Sequence, residues 1–112
     1  MKAHKAWFGV IAVIGAVVLT GCGPSRVTKY DVAKKQADQR DYPAAVETYK
    51  EFIAQNPDSS LVPYAMYNIG CLYRDMNDKA AAMEAFKKLT EQFPTKDPAR
   101  WAETDMREMQ QP

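Results

Sequence analysis

Residues 66 to 94 read MYNIGCLYRDMNDKAAAMEAFKKLTEQFP, and the spacing of their apolar and small residues decides the fold. Met66, Ile69, Leu72, Tyr73 and Met76 recur at intervals of three and four, which places their side chains on one face of a helix. After a break at Asp75 to Lys79, the residues Ala82, Met83, Phe86, Leu89 and Phe93 repeat that spacing. Asp78 stands where a side-chain cap would start the second helix. Phe93-Pro94 ends it, because the residue before a proline is driven away from helical conformation. The stretch is two helices joined by a short turn.

The same pattern recurs when the chain is slid on itself by 37 residues. Ala45 falls on Ala82, Tyr49 on Phe86, Phe52 on Leu89 and Pro57 on Pro94. Beyond these, Tyr30 falls on Tyr67, Asp41 on Asp78, Tyr64 on Trp101 and Ala65 on Ala102. Small residues meet small, aromatic meet aromatic and proline meets proline, so the chain is an internal repeat of slightly more than two copies. Pro43 suits a first helical turn, where its missing N–H costs nothing. Asp97-Pro98 reads as a cap followed by a first-turn proline, and Ser60-Leu61 lies one period earlier. The spacing predicts helices near 27–39, 43–55, 61–75, 79–92 and 98–109, with no strand.

Met66-x2-Ile69-Gly70-x2-Tyr73, then Ala82-x3-Phe86, then Pro94, resembles the tetratricopeptide repeat. Gly70 and Ala82 are small where two helices approach closely, and Tyr73 and Phe86 fill the space beside them. The first copy keeps Ala45, Tyr49 and Pro57 but carries Val32-Ala33 and Gln36 in place of Ile69-Gly70 and Tyr73. The resemblance implies an all-α fold: a short α-solenoid of two helical hairpins over residues 29–109, with a C-terminal capping helix and a tail at 110–112. In that last helix Trp101, Ala102, Met106 and Met109 form the expected buried stripe, while Arg100, Glu103, Arg107 and Glu108 face water. Glu103 and Arg107 stand at i,i+4, a pairing worth only a few tenths of a kcal/mol. The turn from Pro57 to Ala65 resembles those of tetratricopeptide lipoproteins of the bacterial outer membrane, found in the β-barrel assembly machinery and with the Tol-Pal system.

The N-terminus reads as a separate unit. Lys2, His4 and Lys5 precede a fourteen-residue uncharged run from Ala6 to Leu19, shorter than the roughly 20 apolar residues a bilayer-spanning helix needs. A basic start, a short apolar run and a small-residue ending mark a secretory signal. Leu19-Thr20-Gly21-Cys22 resembles the lipobox of bacterial lipoproteins, which implies removal of residues 1–21, lipidation of Cys22 and a short tether over 22–28. By the same resemblance Gly23 after the cysteine points to the outer membrane, with the domain facing the periplasm. The expected mature chain carries 13 Lys and Arg against 14 Asp and Glu, with Arg26, Lys29, Lys34, Lys35 and Arg40 gathered at its start. That basic cluster could face anionic head groups, each contact worth about 1 kcal/mol, or be an ordinary solvated face.

This charge balance is not that of a nucleic-acid-binding protein. The single histidine, His4, leaves with the signal, so the usual general base and the commonest metal ligand go with it. Ser25, Ser59 and Ser60 have no recognisable base partner, Glu47 and Glu51 read as a solvated face, and no glycine-rich phosphate loop is present. No enzyme activity, cofactor or metal is expected. Once Cys22 is modified, Cys71 is a lone thiol, expected buried and inert. The remaining expectation is a binding surface for a protein or peptide partner of the cell envelope. The family resemblance implies that the first helix of each pair lines it, with Tyr30, Lys34, Tyr64, Tyr67 and Arg74 facing the partner. Three roles fit: an adaptor in outer-membrane assembly or envelope maintenance, a pilotin-like escort of a secretin or pilus component, and a client-less structural lipoprotein that self-associates.

Overall fold

The turn between the two helices of each repeat closes in the same way in both copies. Arg40 and Asn77, 37 residues apart in sequence, hold positive φ angles of 64° and 66°. Beside them Arg40 N–H donates to the Ala37 carbonyl and Asp41 N–H to that of Gln36. Asn77 donates to Arg74 and Asp78 to Tyr73 in the same pattern. These paired bonds satisfy the final carbonyls of a helix and reverse the chain. The next helix starts at once: Asp41 accepts from Ala44 N–H at 3.4 Å and Asp78 from Ala81 N–H at 3.1 Å. One aspartate therefore ends one helix and caps the next, which makes each turn short.

The computed structural model describes residues 26–112, and among them the secondary structure is helical, without strands. The helices are α1 (Lys29–Asp38), α2 (Tyr42–Gln55), α3 (Val62–Asp75), α4 (Lys79–Gln92) and α5 (Asp97–Gln110). α1 pairs with α2 and α3 with α4; α2 packs on α3, and α5 packs on both helices of the second pair. This is an all-α short solenoid of two hairpins closed by a C-terminal helix. Cys22 and the expected signal segment 1–21 lie outside the described residues.

α1 begins at Lys29, not at residue 27, because Thr28 and Asp31 cap each other. Thr28 Oγ1 accepts from Asp31 N–H at 3.2 Å, and Asp31 Oδ2 accepts from Thr28 N–H at 3.0 Å. The Thr28 hydroxyl, which also donates to Asp31 Oδ2 at 2.7 Å, and then the Thr28 N–H hold the Asp31 carboxyl below its ordinary range. Two other expected caps are corrected. α3 enters through Leu61 without a side-chain cap, while Ser59 Oγ accepts from Leu61 N–H at 3.1 Å. α5 enters through Lys96, and Asp97 is its first helical residue, paired with Arg100 three positions on. Pro63 and Pro98 sit in these first turns and carry no N–H, so one fewer donor needs a cap.

The core runs the length of the stack: Ala45, Tyr49 and Phe52, then Ala65, Ile69 and Leu72, then Ala82, Phe86 and Leu89. Gly70 lets the second hairpin close, for a Cβ there would lie 2.3 Å from Phe86 Cε1. In the first repeat Ala33, fully buried, takes the corresponding position. Gln36, at the position of Tyr73, leaves its Oε1 buried without a partner among the described residues.

On α5, Ala102 is fully buried and Met106 and Met109 are half-buried, but Trp101 is 45% exposed. The expected stripe is wrong at that residue. α5 seats itself on the small surface of Pro98, Ala99 and Ala102, and Trp101, one step round the helix, is left at the rim. Arg100, Glu103, Arg107 and Glu108 are exposed. Glu103 and Arg107 form no ion pair among the described residues; Arg100 bonds Asp97 instead. The α5 residues one period after Met66, Gly70 and Tyr73 are Glu103, Arg107 and Gln110. A face that packs a second helix in the earlier repeat is polar here, as a capping unit requires.

Candidate functional site

α1, α3 and α5 are the first helices of successive repeats, and polar contacts at equivalent positions join them. Asn68 on α3 donates its amide to the hydroxyls of Tyr30 at 3.2 Å and Tyr49 at 3.1 Å. One period later Tyr67 donates to Asp105 Oδ2 at 2.7 Å, and Arg74 pairs with the same oxygen at 3.1 Å. Tyr30 corresponds to Tyr67 and Asn68 to Asp105, each 37 residues apart. Behind these hydroxyls the rings pack into the core. Tyr30 meets Tyr49 and Phe52 edge-on at 5.4 and 5.5 Å, and Tyr67 lies 5.6 Å from Phe86.

These contacts involve three residues of the expected docking face. Tyr67 is half-buried, its ring on Phe86 and Trp101 and its hydroxyl on Asp105. Arg74 remains 42% exposed but its guanidinium is held by Asp105, whose side chain is only 15% exposed. Tyr30 is likewise half-buried. The cause is common to all three: a residue on the first-helix face that points toward the next repeat is spent on the joint between repeats. Lys34 is exposed on α1, and Tyr64 is 37% exposed on α3. Beside them lies Trp101, whose indole meets Tyr64 at 5.9 Å and Tyr67 at 5.4 Å, both near perpendicular. Asn68, Asp105 and Trp101 were not expected here, although the 37-residue slide already pairs Asn68 with Asp105 and Tyr64 with Trp101.

Burial raises the tyrosine hydroxyl pKa values at the joints. Burial foremost pushes Tyr49 up to about 12. Tyr30 and Tyr67 are raised by the same cause, and the bond to Asp105 adds to the rise at Tyr67. Cys71 is half-buried and not fully buried as expected, and desolvation pushes its thiol up. Of the basic cluster at the start of the domain, Lys29 is paired with Glu51 at 2.6 Å. Asp31 and Asp38 share the exposed side of α1 with Lys34 and Lys35, so that surface is mixed in charge.

On the opposite side a groove of about 430 Å³ runs between α2 and α4 over α3, lined among others by Lys50, Ile53, Ile69, Tyr73, Ala85 and Lys88. Lys50 stands 5.8 Å from the Tyr73 ring centroid. Among the described residues no group of His, Cys, Asp and Glu is placed to hold a metal. No helix among them is long and apolar enough to cross a membrane.

A family model described as tetratricopeptide repeat matches residues 32–59 and 64–96, more than half of the chain. No curated protein matches the chain.

Proposed function

The chain belongs to the tetratricopeptide repeat family, and on that premise we propose that it is a lipid-anchored adaptor of the cell envelope, held to the outer membrane through Cys22. Tetratricopeptide repeats serve protein–protein interaction, and solenoids of this kind use an extended face built from successive repeats. The observation that carries the reading is the row of first helices, α1, α3 and α5, which leaves Lys34, Tyr64 and Trp101 exposed over a core-bonded row of tyrosines. Aromatic rings already fixed in place give contact area at low entropic cost.

The anchor is supported by the Leu19-Thr20-Gly21-Cys22 motif after a short apolar run. From Gly23 to Thr28 the tether is six residues, which reach at most ~20 Å, so the domain stays near the bilayer with its client. The client is a protein of outer-membrane assembly or envelope maintenance.

Two measurements test this. Mass spectrometry of the mature protein is expected to find an acylated Cys22 at the N-terminus, and recovery of intact Met1 would remove the anchor. Affinity capture from cross-linked envelope extracts is expected to retrieve a partner that Tyr64→Ala with Lys34→Glu no longer retrieves, while circular dichroism shows the helices intact. Undiminished capture by that variant would move the interaction off this face.

A further inference from the structure

We propose that the groove between α2 and α4 seats an amphipathic helix of a partner protein whose charges run acidic, basic, acidic along its length. This surface lies opposite the first-helix face, and the inference stands apart from the adaptor reading. The floor of the groove is apolar: Met66 and Ile69 of α3 are each 7% exposed, and Tyr73 continues their row. Ile53 on α2 and Ala81 and Ala85 on α4 flank it. Its volume of about 430 Å³ is that of a built ligand site. Every lining residue belongs to a helix, so the surrounding backbone is engaged in its own hydrogen bonds and offers no edge to a strand. A docked helix satisfies its own backbone and needs only side-chain contacts, which is what this groove provides.

The charges along the rim set the order on the partner. Tyr73 stands at the turn into α4, where its carbonyl accepts from Asp78 N–H at 2.9 Å, and Lys50 lies 5.8 Å from its ring centroid. That end of the groove is cationic. The contact of Lys50 with Glu47, at 3.6 Å between exposed side chains, is too loose to neutralise it. Glu84 follows on the α4 wall, and Lys88 lies seven positions beyond Ala81, about 10 Å along the helix. Among the described residues neither Glu84 nor Lys88 forms an ion pair. The rim therefore reads positive, negative, positive over about two helical turns. Its complement is Glu, Lys, Glu at i, i+4 and i+7, positions that share one face of a helix. A uniformly acidic run would meet Glu84, and a basic one would meet both lysines.

The test titrates the protein, in micelles of a neutral detergent, with two fluorescently labelled helical peptides of identical composition, each with a leucine stripe. One carries Glu, Lys, Glu in that order beside the stripe, and the other Glu, Glu, Lys. By fluorescence anisotropy the first is expected to bind about fivefold or more tightly, the difference that rearranged rim charges supply. Glu84→Lys with Lys88→Glu turns the rim to positive, positive, negative and should reverse the preference. Ala85→Phe should abolish binding by filling the groove, and Tyr64→Ala with Lys34→Glu should leave it unchanged, with helicity checked by circular dichroism in each. Equal binding of the two peptides, a preference that the exchange does not reverse, or no binding at millimolar peptide overturns the proposal. So does loss of binding in Tyr64→Ala with Lys34→Glu, which would place the peptide on the first-helix face. A cross-linked dimer of the protein alone that Ala85→Phe removes would assign the groove to a second copy and overturn it as well. The adaptor reading is tested separately, by client capture from extracts.

Discussion

Gly70 on α3 lies against the Phe86 ring of α4, and the contact leaves no room for a methyl group. A Cβ would lie 2.3, 2.6 and 2.9 Å from three atoms of a ring that is fully buried and has nowhere to retreat. Gly70→Ala is expected to destabilise the domain by about 1–3 kcal/mol through overpacking. This outweighs the ~1 kcal/mol that alanine gains over glycine inside a helix. Thermal unfolding should show a melting temperature lower by several degrees, and Phe86→Leu added to Gly70→Ala should recover part of the loss. An unchanged or higher melting temperature in the single variant would show that the ring can move. This glycine was legible in the sequence, because a small residue one turn before Tyr73 is part of a spaced pattern. Tyr67 and Arg74 were legible as members of the first-helix face but not as joint residues. Spacing gives the face a residue occupies and says nothing of which neighbour takes its polar end.

Among the elements, α5 seats the small residues Pro98, Ala99 and Ala102 on the second hairpin, with Met106 and Met109 half-buried beside them. Asp105 adds the specific tie, receiving both the Tyr67 hydroxyl and the Arg74 guanidinium. Asp105→Ala leaves those two groups without their acceptor and is expected to cost about 1–3 kcal/mol. Tyr67→Phe should cost about 1 kcal/mol alone, yet almost nothing in the Asp105→Ala background, since the bond it removes is already gone. Chemical denaturation of the four proteins gives the coupling directly, and strictly additive losses would mean the bond contributes nothing. The helix boundaries around this tie were readable to within about two residues, because apolar period, aspartate caps and Asn-Pro or Phe-Pro stops agree. The entries to α3 and α5 were misread, since Leu61 and Lys96 stand at the N-caps and neither makes a side-chain cap bond. Trp101 was misread because the period assigns a residue to a stripe but not to its edge.

Across the whole molecule, tyrosine hydroxyls hold the stack together at two levels: Asn68 with Tyr30 and Tyr49 between the hairpins, and Tyr67 with Asp105 between the second hairpin and α5. Both joints are built from neutral phenols, and folding favours that form. The three pKa values lie above the ordinary 10.0, with burial as the leading cause and Tyr49 pushed up to about 12. A group whose pKa is raised by folding contributes stability that is fully present below its unfolded value and is lost as pH rises toward its folded value. The loss should therefore be negligible below about pH 9 and grow between pH 10 and about 12, where unfolded tyrosine ionises and the folded joints resist. Tyr67 adds a local reason, since a phenolate beside the Asp105 carboxylate has no proton to donate and meets a like charge. The expected result is a melting temperature, followed by circular dichroism, that is level from pH 7 to 9 and falls steeply above pH 10. Tyr67→Phe, with a lower starting stability, should fall less steeply because one of the three titrating hydroxyls is gone. A wild-type melting temperature that holds to pH 12, or a Tyr67→Phe curve parallel to wild type, would show that the hydroxyls do not hold the repeats together.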